Sequence, residues 1–185
     1  MRGFVPAHQI ARTRRDGPAA DRLREAILAI AAAFGPESVT GHYPALLSPD
    51  VDVDAVIAFH LGAPRMGLDA LERAVATGAD LGRPPDPSLL DQALARLEAI
   101  GNVPLVAQVH RSNALARRDP AALEQAQREF AAMDALPFVA RCRCERALLT
   151  GDREALGAGL ATLEQIGDLE QVERYEQRAR ARGLG

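Results

Sequence analysis

Three stretches of this chain repeat one pattern and decide its fold: DPSLLDQALARLEAIGNV at residues 86–103, DPAALEQAQREFAAMDAL at residues 119–136 and DREALGAGLATLEQIGDL at residues 152–169. Successive stretches begin 33 residues apart. Each starts with an Asp, places apolar residues at helical spacing and ends in a short turn. A period in this range is typical of stacked helix pairs, each of which buries its apolar face only against its neighbours.

Equivalent positions in the three stretches predict how each helix begins and packs. Asp before Pro is a suitable N-cap and first-turn pair, because the carboxylate accepts from free backbone amides and Pro lacks an amide that would be unpaired anyway. Ala93, Ala126 and Gly159 form a column of small residues, which predicts a close crossing by a neighbouring helix. The other matched columns include Leu90, Leu123 and Leu156; Leu97, Phe130 and Leu163; Ile100, Met133 and Ile166; and Val106, Val139 and Val172.

These signals divide the chain near residue 67. Residues 1–67 are predicted to form an N-terminal helical segment, with helices over 18–34 and 54–61 joined by an irregular connection rich in Gly, Pro, Ser and His. Residues 68–185 are predicted to form three helical hairpins, starting with a helix near 68–81. In this second region, helices from about Pro87, Pro120 and Arg153 alternate with helices from about Pro104, Pro137 and Leu169.

The composition supports an all-α protein and excludes several classes. Of 185 residues, 36 are Ala, 4% are aromatic and none is Trp, which favours close-packed helices. The net charge of −3 argues against nucleic-acid binding. No apolar run approaches the ~20 residues that span a bilayer. The two cysteines lie two positions apart and cannot form a disulfide framework, so we expect a reducing cytoplasm.

The region from about 68 to 182 resembles a tetratricopeptide-type repeat array. The resemblance rests on the small column at Ala93, Ala126 and Gly159, the large column at Leu97, Phe130 and Leu163, the small Ala114 and Ala147, and the prolines at Pro104 and Pro137. The unit is 33 residues long instead of the family's 34. The region is also similar to the repeat tails of bacterial ATPase- or cyclase-type signalling regulators. The first resemblance implies a binding role, and the second implies a sensory or autoinhibitory role.

The chain offers few motifs for catalysis, cofactors or metals. The chain contains no Lys, so it has no Walker-type phosphate loop, and we expect no cofactor. Cys142 and Cys144 lie about 200° apart on a helix and cannot share one metal, so we expect no metal site. Cys142 is predicted to lie in the core and Cys144 to be partly exposed. The main interpretation is a structural thiol, and the alternative is a reactive Cys144 whose thiolate Arg141 and Arg143 favour.

The candidate site is a ladder of polar residues on the first helices of successive hairpins. In a superhelical array these helices line the concave side, so several guanidinium groups would share one groove suited to an acidic peptide. The competing interpretation is a solvated face, because Glu145, Glu170 and Glu173 lie close enough to neutralise the Arg residues. The candidate partner-binding residues are Gln108, His110, Asn113, Arg141, Arg143, Arg146 and Arg174.

We therefore expect a cytoplasmic, non-catalytic protein-interaction module whose partner is a protein or an acidic peptide. The first alternative is a detached sensory or autoinhibitory repeat tail of a multidomain ATPase or transcriptional regulator. The second is a small enzyme that uses the 35–67 connection, with His42, Tyr43 and His60 as its candidate residues.

Overall fold

A computed structural model of the chain describes residues 10–11, 14, 16–34, 51–62 and 68–184. Within these residues it contains nine helices and no strand, which confirms the all-α prediction for that part of the chain. The helices are α1 Gly17–Phe34, α2 Val53–Gly62, α3 Leu68–Asp80, α4 Pro87–Ile100, α5 Val103–Arg117, α6 Pro120–Ala132, α7 Leu136–Thr150, α8 Arg153–Gln165 and α9 Leu169–Ala181.

The helix starts follow the predicted capping chemistry. Asp86 accepts a hydrogen bond from Ser88 N at 2.8 Å, and Asp119 accepts from Ala121 N at 2.9 Å. Asp152 accepts from Ala155 N at 2.9 Å. The three repeated Asp residues are therefore N-caps of α4, α6 and α8, as predicted, because each places a carboxylate over backbone amides that the helix leaves unpaired.

From α4 onward, each helix packs against the next one in the sequence. At the N-terminal side the order differs, because α3 makes its main contacts with α2 and α5, while α4 packs against α5 and α2. One buried cluster accordingly joins Val53 and Ile57 of α2 to Leu71 of α3 and Leu90 of α4. The predicted boundary at residue 67 lies outside the described residues, and this core includes side chains from both sides of it.

The small-residue column marks close helix contacts, as the repeat predicts. A Cβ atom on Gly159 of α8 would lie 2.5 Å from Cys144 Sγ and 3.3 Å from Ala140 O of α7. Ala93 and Ala126, the equivalent residues, are fully buried. Backbone and sulfur thus occupy the space that a side chain at residue 159 would need.

The repeated apolar columns are only partly buried. Leu97, Phe130 and Leu163 lie in the core, whereas Ile100 is 55% exposed and Ile166 is 37% exposed. The exposed members stand at the ends of α4 and α8, where the chain turns into the following helix. The 33-residue period therefore identifies equivalent positions without deciding which of them face the interior.

Candidate functional site

The seven predicted binding residues do not share one groove. Gln108 and His110 are two residues apart on α5, which places them about 200° apart around the helix axis. Gln108 is 2% exposed and lies on the side of α5 that faces α3 and α7, with Arg111. His110 lies on the other side, against Glu129 of α6. Two separate environments follow from this division, one buried and one open.

The buried environment is a charge network that crosses four helices. Arg111 of α5 is completely buried, and its Nε donates to Glu145 Oε2 of α7 at 2.9 Å. Glu145 is also completely buried and accepts from the hydroxyl of Tyr175 of α9 at 2.8 Å. The Arg111 Nη2 atom donates in addition to Asp80 Oδ1 at the end of α3, at 2.7 Å.

Arg141 of α7, one of the predicted binding residues, belongs to this network. Its Nη1 donates to Asp80 Oδ2 at 2.8 Å, and its Nη2 donates to Asp168 Oδ2 at 2.6 Å. Its guanidinium also lies over the Phe138 ring, 5.2 Å from the ring centre. The Asp80 carboxylate thus bridges Arg111 and Arg141, one oxygen to each.

The network keeps the Asp80 carboxylate ionised in spite of burial. Desolvation alone would raise the pKa of Asp80, but the attraction of Arg141 and Arg111 brings that pKa below its usual value of 3.8. Burial, together with the nearby Glu145, raises the pKa of Tyr175 well above its usual range, so the phenol stays protonated and donates. The arrangement is a buried, compensated set of charges.

The Arg residues were expected to bind the carboxylates of an acidic peptide. In this fold, Arg141 and Arg174 are paired with carboxylates of the same chain. Arg174 donates to Glu170 at 2.6 Å, one turn before it on α9, and it also helps to lower the pKa of Asp80. Arg141 is held by Asp80 and Asp168, 61 and 27 residues away in sequence. A partner's carboxylate would have to displace these groups to reach either guanidinium.

Sequence reasoning missed the centre of this network, namely Asp80, Arg111, Asp168 and Tyr175. A signal was present at Arg111, because it stands four residues after Ala107 and four before Leu115, in the buried stripe of α5. A charged residue at a helical core position indicates a buried partner of opposite charge.

Cys142 lies in the core as predicted, whereas the prediction that Cys144 is partly exposed was wrong. Cys144 and Cys142 are both completely buried. Burial, reinforced by Glu145, raises the pKa of Cys144 to about 12, and the nearby Arg143 offsets this only in part. Burial likewise raises the pKa of Cys142. Both groups are therefore protonated, tightly packed thiols at neutral pH.

The open environment is a surface cleft between α5 and α6, with a volume of about 240 Å³. On one side of it, His110 Nδ1 lies 2.8 Å from Glu129 Oε2, and Gln125 Nε2 donates to Glu129 Oε1 at 3.3 Å. The side chains of His110 and Glu129 are 33% and 26% exposed, so solvent reaches both. The cleft is lined by His110, Asn113, Ala114, Arg117, Asp119, Ala122, Gln125 and Glu129.

Asp91 of α4 organises the other side of the cleft. Asn113 Nδ2 donates to Asp91 Oδ1 at 2.8 Å, and Arg117 Nη2 donates to Asp91 Oδ2 at 2.9 Å. These hydrogen bonds, that of Asn113 foremost, lower the pKa of Asp91. Because an ionised carboxylate only accepts, the Asn113 amide is oriented with Nδ2 toward Asp91. Its Oδ1 atom is buried and has no hydrogen-bond partner among the described residues.

The remaining candidates are distributed elsewhere. Arg146 is half-buried, and its Nη1 lies 3.3 Å from Glu124 of α6, while Arg143 is half-buried on α7. His60, a candidate for the enzyme alternative, is 2% exposed within α2. His42 and Tyr43 lie outside the described residues. In the part of the chain that the structure describes, no group of three or more His, Cys, Asp or Glu side chains could hold a metal ion.

The fold and the cleft together define, over the described residues, an all-α protein with a buried charge network and an accessible polar cleft. The chain matches no protein-family model, no curated protein and no solved structure. Across residues 10–11, 14, 16–34, 51–62 and 68–184, every helix is too short or too polar to cross a membrane.

Proposed function

We propose that this chain is a non-catalytic interaction module, built on tetratricopeptide-like repeats, that binds a segment of a protein partner in the cleft between α5 and α6. The observation that carries the proposal is the cleft itself. Its polar side chains are held in place by hydrogen bonds before any partner arrives, and they remain accessible, as at His110 and Glu129. Such preorganisation lowers the entropic cost of binding.

The repeat class is supported by three agreeing features. The period of 33 residues, the N-caps at Asp86, Asp119 and Asp152, and the packing of each helix on the next from α4 onward are what stacked helix pairs require. Surfaces of such stacks bind protein segments because neighbouring helices leave elongated clefts between them.

The size of the cleft favours a protein segment over a cofactor-sized ligand. A volume of about 240 Å³ lies below the ~300–1,000 Å³ that small-molecule and cofactor sites usually occupy. It suits one or two side chains that project from a partner. Binding there also leaves the Asp80 network intact, whereas an acidic peptide on Arg141 would have to break it. The two buried thiols are compatible with the cytoplasmic location that we propose.

A second candidate function, a repeat tail of a larger regulator, is favoured by the exposed apolar residues at the turns. Ile100 and Val103 are 55% and 61% exposed at the α4–α5 turn, and Leu136 is 48% exposed at the α6–α7 turn. Helices that alternate in direction place these turns at one edge, where an adjoining module could cover them. Burial of Ile100 in an intact regulator, measured by hydrogen exchange, would test this alternative.

The proposed function is tested by filling the cleft without changing its charge. Ala122 lines the cleft and is half-buried, so Ala122→Leu is expected to abolish partner capture from native lysate, with identification by mass spectrometry. Ala161→Leu, on the exposed surface of α8, is the matched control and should capture the same protein as the parent chain. Full retention of every partner by Ala122→Leu would remove the cleft as the binding site.

A further inference from the structure

We infer that the α5–α6 cleft receives a lysine or arginine side chain of the partner, held by Glu129. This inference rests on the proposed binding function and adds the chemistry of the bound group. The Arg columns led to the expectation of an acidic ligand, whereas the inferred ligand is basic. The cleft lies on the opposite side of α5 from Gln108 and Arg111.

The charge balance of the cleft is negative. Arg117 and Asp91 neutralise each other through their hydrogen bond of 2.9 Å. Asp119 caps α6, where the positive end of the helix dipole offsets much of its charge. Glu129 remains, and its hydrogen bond from Gln125 comes from a neutral amide. In its contact with His110, the carboxylate can only accept, so the proton lies on His110 Nδ1.

The groups already in the cleft indicate what the ligand must donate. The Nδ2 donor of Asn113 is engaged by Asp91, whereas the partly exposed Glu129 carboxylate offers acceptor oxygens. Ammonium and guanidinium groups bring only donors, whereas a carboxylate would add another acceptor beside Glu129.

The dimensions and the walls fit a long basic side chain. The cleft of about 240 Å³ is large enough for one extended side chain. Ala114 and Ala122 give apolar wall between the polar groups, and the methylenes of Lys or Arg can pack against such surface while the charged end reaches a carboxylate.

The test is an NMR titration of the ¹⁵N-labelled chain with capped tripeptides Ala-Xaa-Ala, in which Xaa is Lys, Arg, norleucine or Glu. Lys and Arg peptides should give saturable shifts at the amides of His110, Asn113 and Glu129, whereas norleucine and Glu peptides should not. Glu129→Gln keeps the shape and removes the charge, so it should weaken Lys-peptide binding about tenfold, between the effects of rim and buried charges. Glu164→Gln, on the exposed face of α8, is the matched control and should bind like the parent chain.

The outcomes separate this inference from the proposed function. Binding of norleucine or Glu peptides in preference to Lys would overturn the inference and leave a cleft that binds protein segments. Equal binding of Lys peptide by Glu129→Gln would overturn it as well. Binding of 1,5-diaminopentane as tightly as the Lys peptide would overturn peptide docking in favour of a small-amine site. If no peptide shifts the cleft and Ala122→Leu also keeps its partners, both proposals fail.

Discussion

Arg111 on α5 and Glu145 on α7 face each other in the interior with both side chains completely buried, and Arg111 Nε donates to Glu145 Oε2 at 2.9 Å. The pair is 34 residues apart, close to one repeat period, and it ties two helices that do not follow each other in the sequence. Asp80 and Tyr175 complete the hydrogen bonding from α3 and α9. Such a network makes relative helix positions depend on charge as well as on apolar packing.

Removal of one member of the network should be strongly destabilising. We expect Arg111→Met to lower the free energy of unfolding by about 3–5 kcal/mol, because Glu145 would be left as a buried charge without its partner. Urea denaturation measures this. Arg128→Met, which removes an exposed guanidinium paired with Glu124, is the control and should change stability by less than about 1 kcal/mol. Equal effects of the two substitutions would contradict the role of the network.

Acid should weaken the fold through Asp80. Its pKa in the folded chain lies below the usual 3.8, so ionised Asp80 contributes stability at neutral pH. That contribution begins to decrease as the pH falls toward 3.8 and is lost as the pH falls through the folded-state pKa. Thermal unfolding between pH 7 and pH 3 should therefore depend less steeply on pH in Asp80→Asn than in the parent chain. An identical slope in both would exclude this contribution.

Gly159 should not tolerate even one added carbon. Gly159→Ala places a Cβ 2.5 Å from Cys144 Sγ, so we expect a loss of about 1–3 kcal/mol from overpacking. Gly157, two residues earlier in α8, has open space around it, and Gly157→Ala should stabilise by about 0.5–1 kcal/mol through helix propensity. Addition of Cys144→Ala should relieve part of the Gly159→Ala defect. Stabilisation by Gly159→Ala alone would contradict the close crossing of α8 and α7.

The thiols should react only after unfolding. Cys142 and Cys144 are buried, and burial raises the pKa of Cys144 to about 12, so neither offers a thiolate at pH 8. Reaction with a chromogenic disulfide reagent should be slow for the native chain and fast in concentrated urea. Rapid modification of one thiol per native molecule would show that the α7 helix opens around it.

Local features were predictable because their causes lie within a few residues. The helix start at Pro87 follows from a carboxylate at Asp86 beside free amides, and the helices over 53–62 and 17–34 follow from apolar spacing and the breakers beside it. The close contact at Gly159 also followed from the repeat, because a small residue at an equivalent position has the same packing reason in each copy.

The candidate site was less predictable, because side chains in one repeat column meet different surroundings. Ile100 is exposed although Leu97, one turn earlier, is fully buried. Gln108 is buried, whereas Arg174, its equivalent two periods later, is half-buried and paired with Glu170. A period identifies equivalent backbone positions, while burial depends on the neighbours that each copy receives.

The helical character of the described chain, the helix starts and the small residues that admit a neighbour could all be predicted from the sequence, because capping and periodicity act over a few residues. In contrast, Asp80 bridges Arg111 and Arg141 only in the folded chain, and His110, Asn113 and Glu129 come to line one cleft only there. Those groups come together through contacts between helices far apart in sequence. Electrostatic energy depends on distance in space, which a list of residues does not contain.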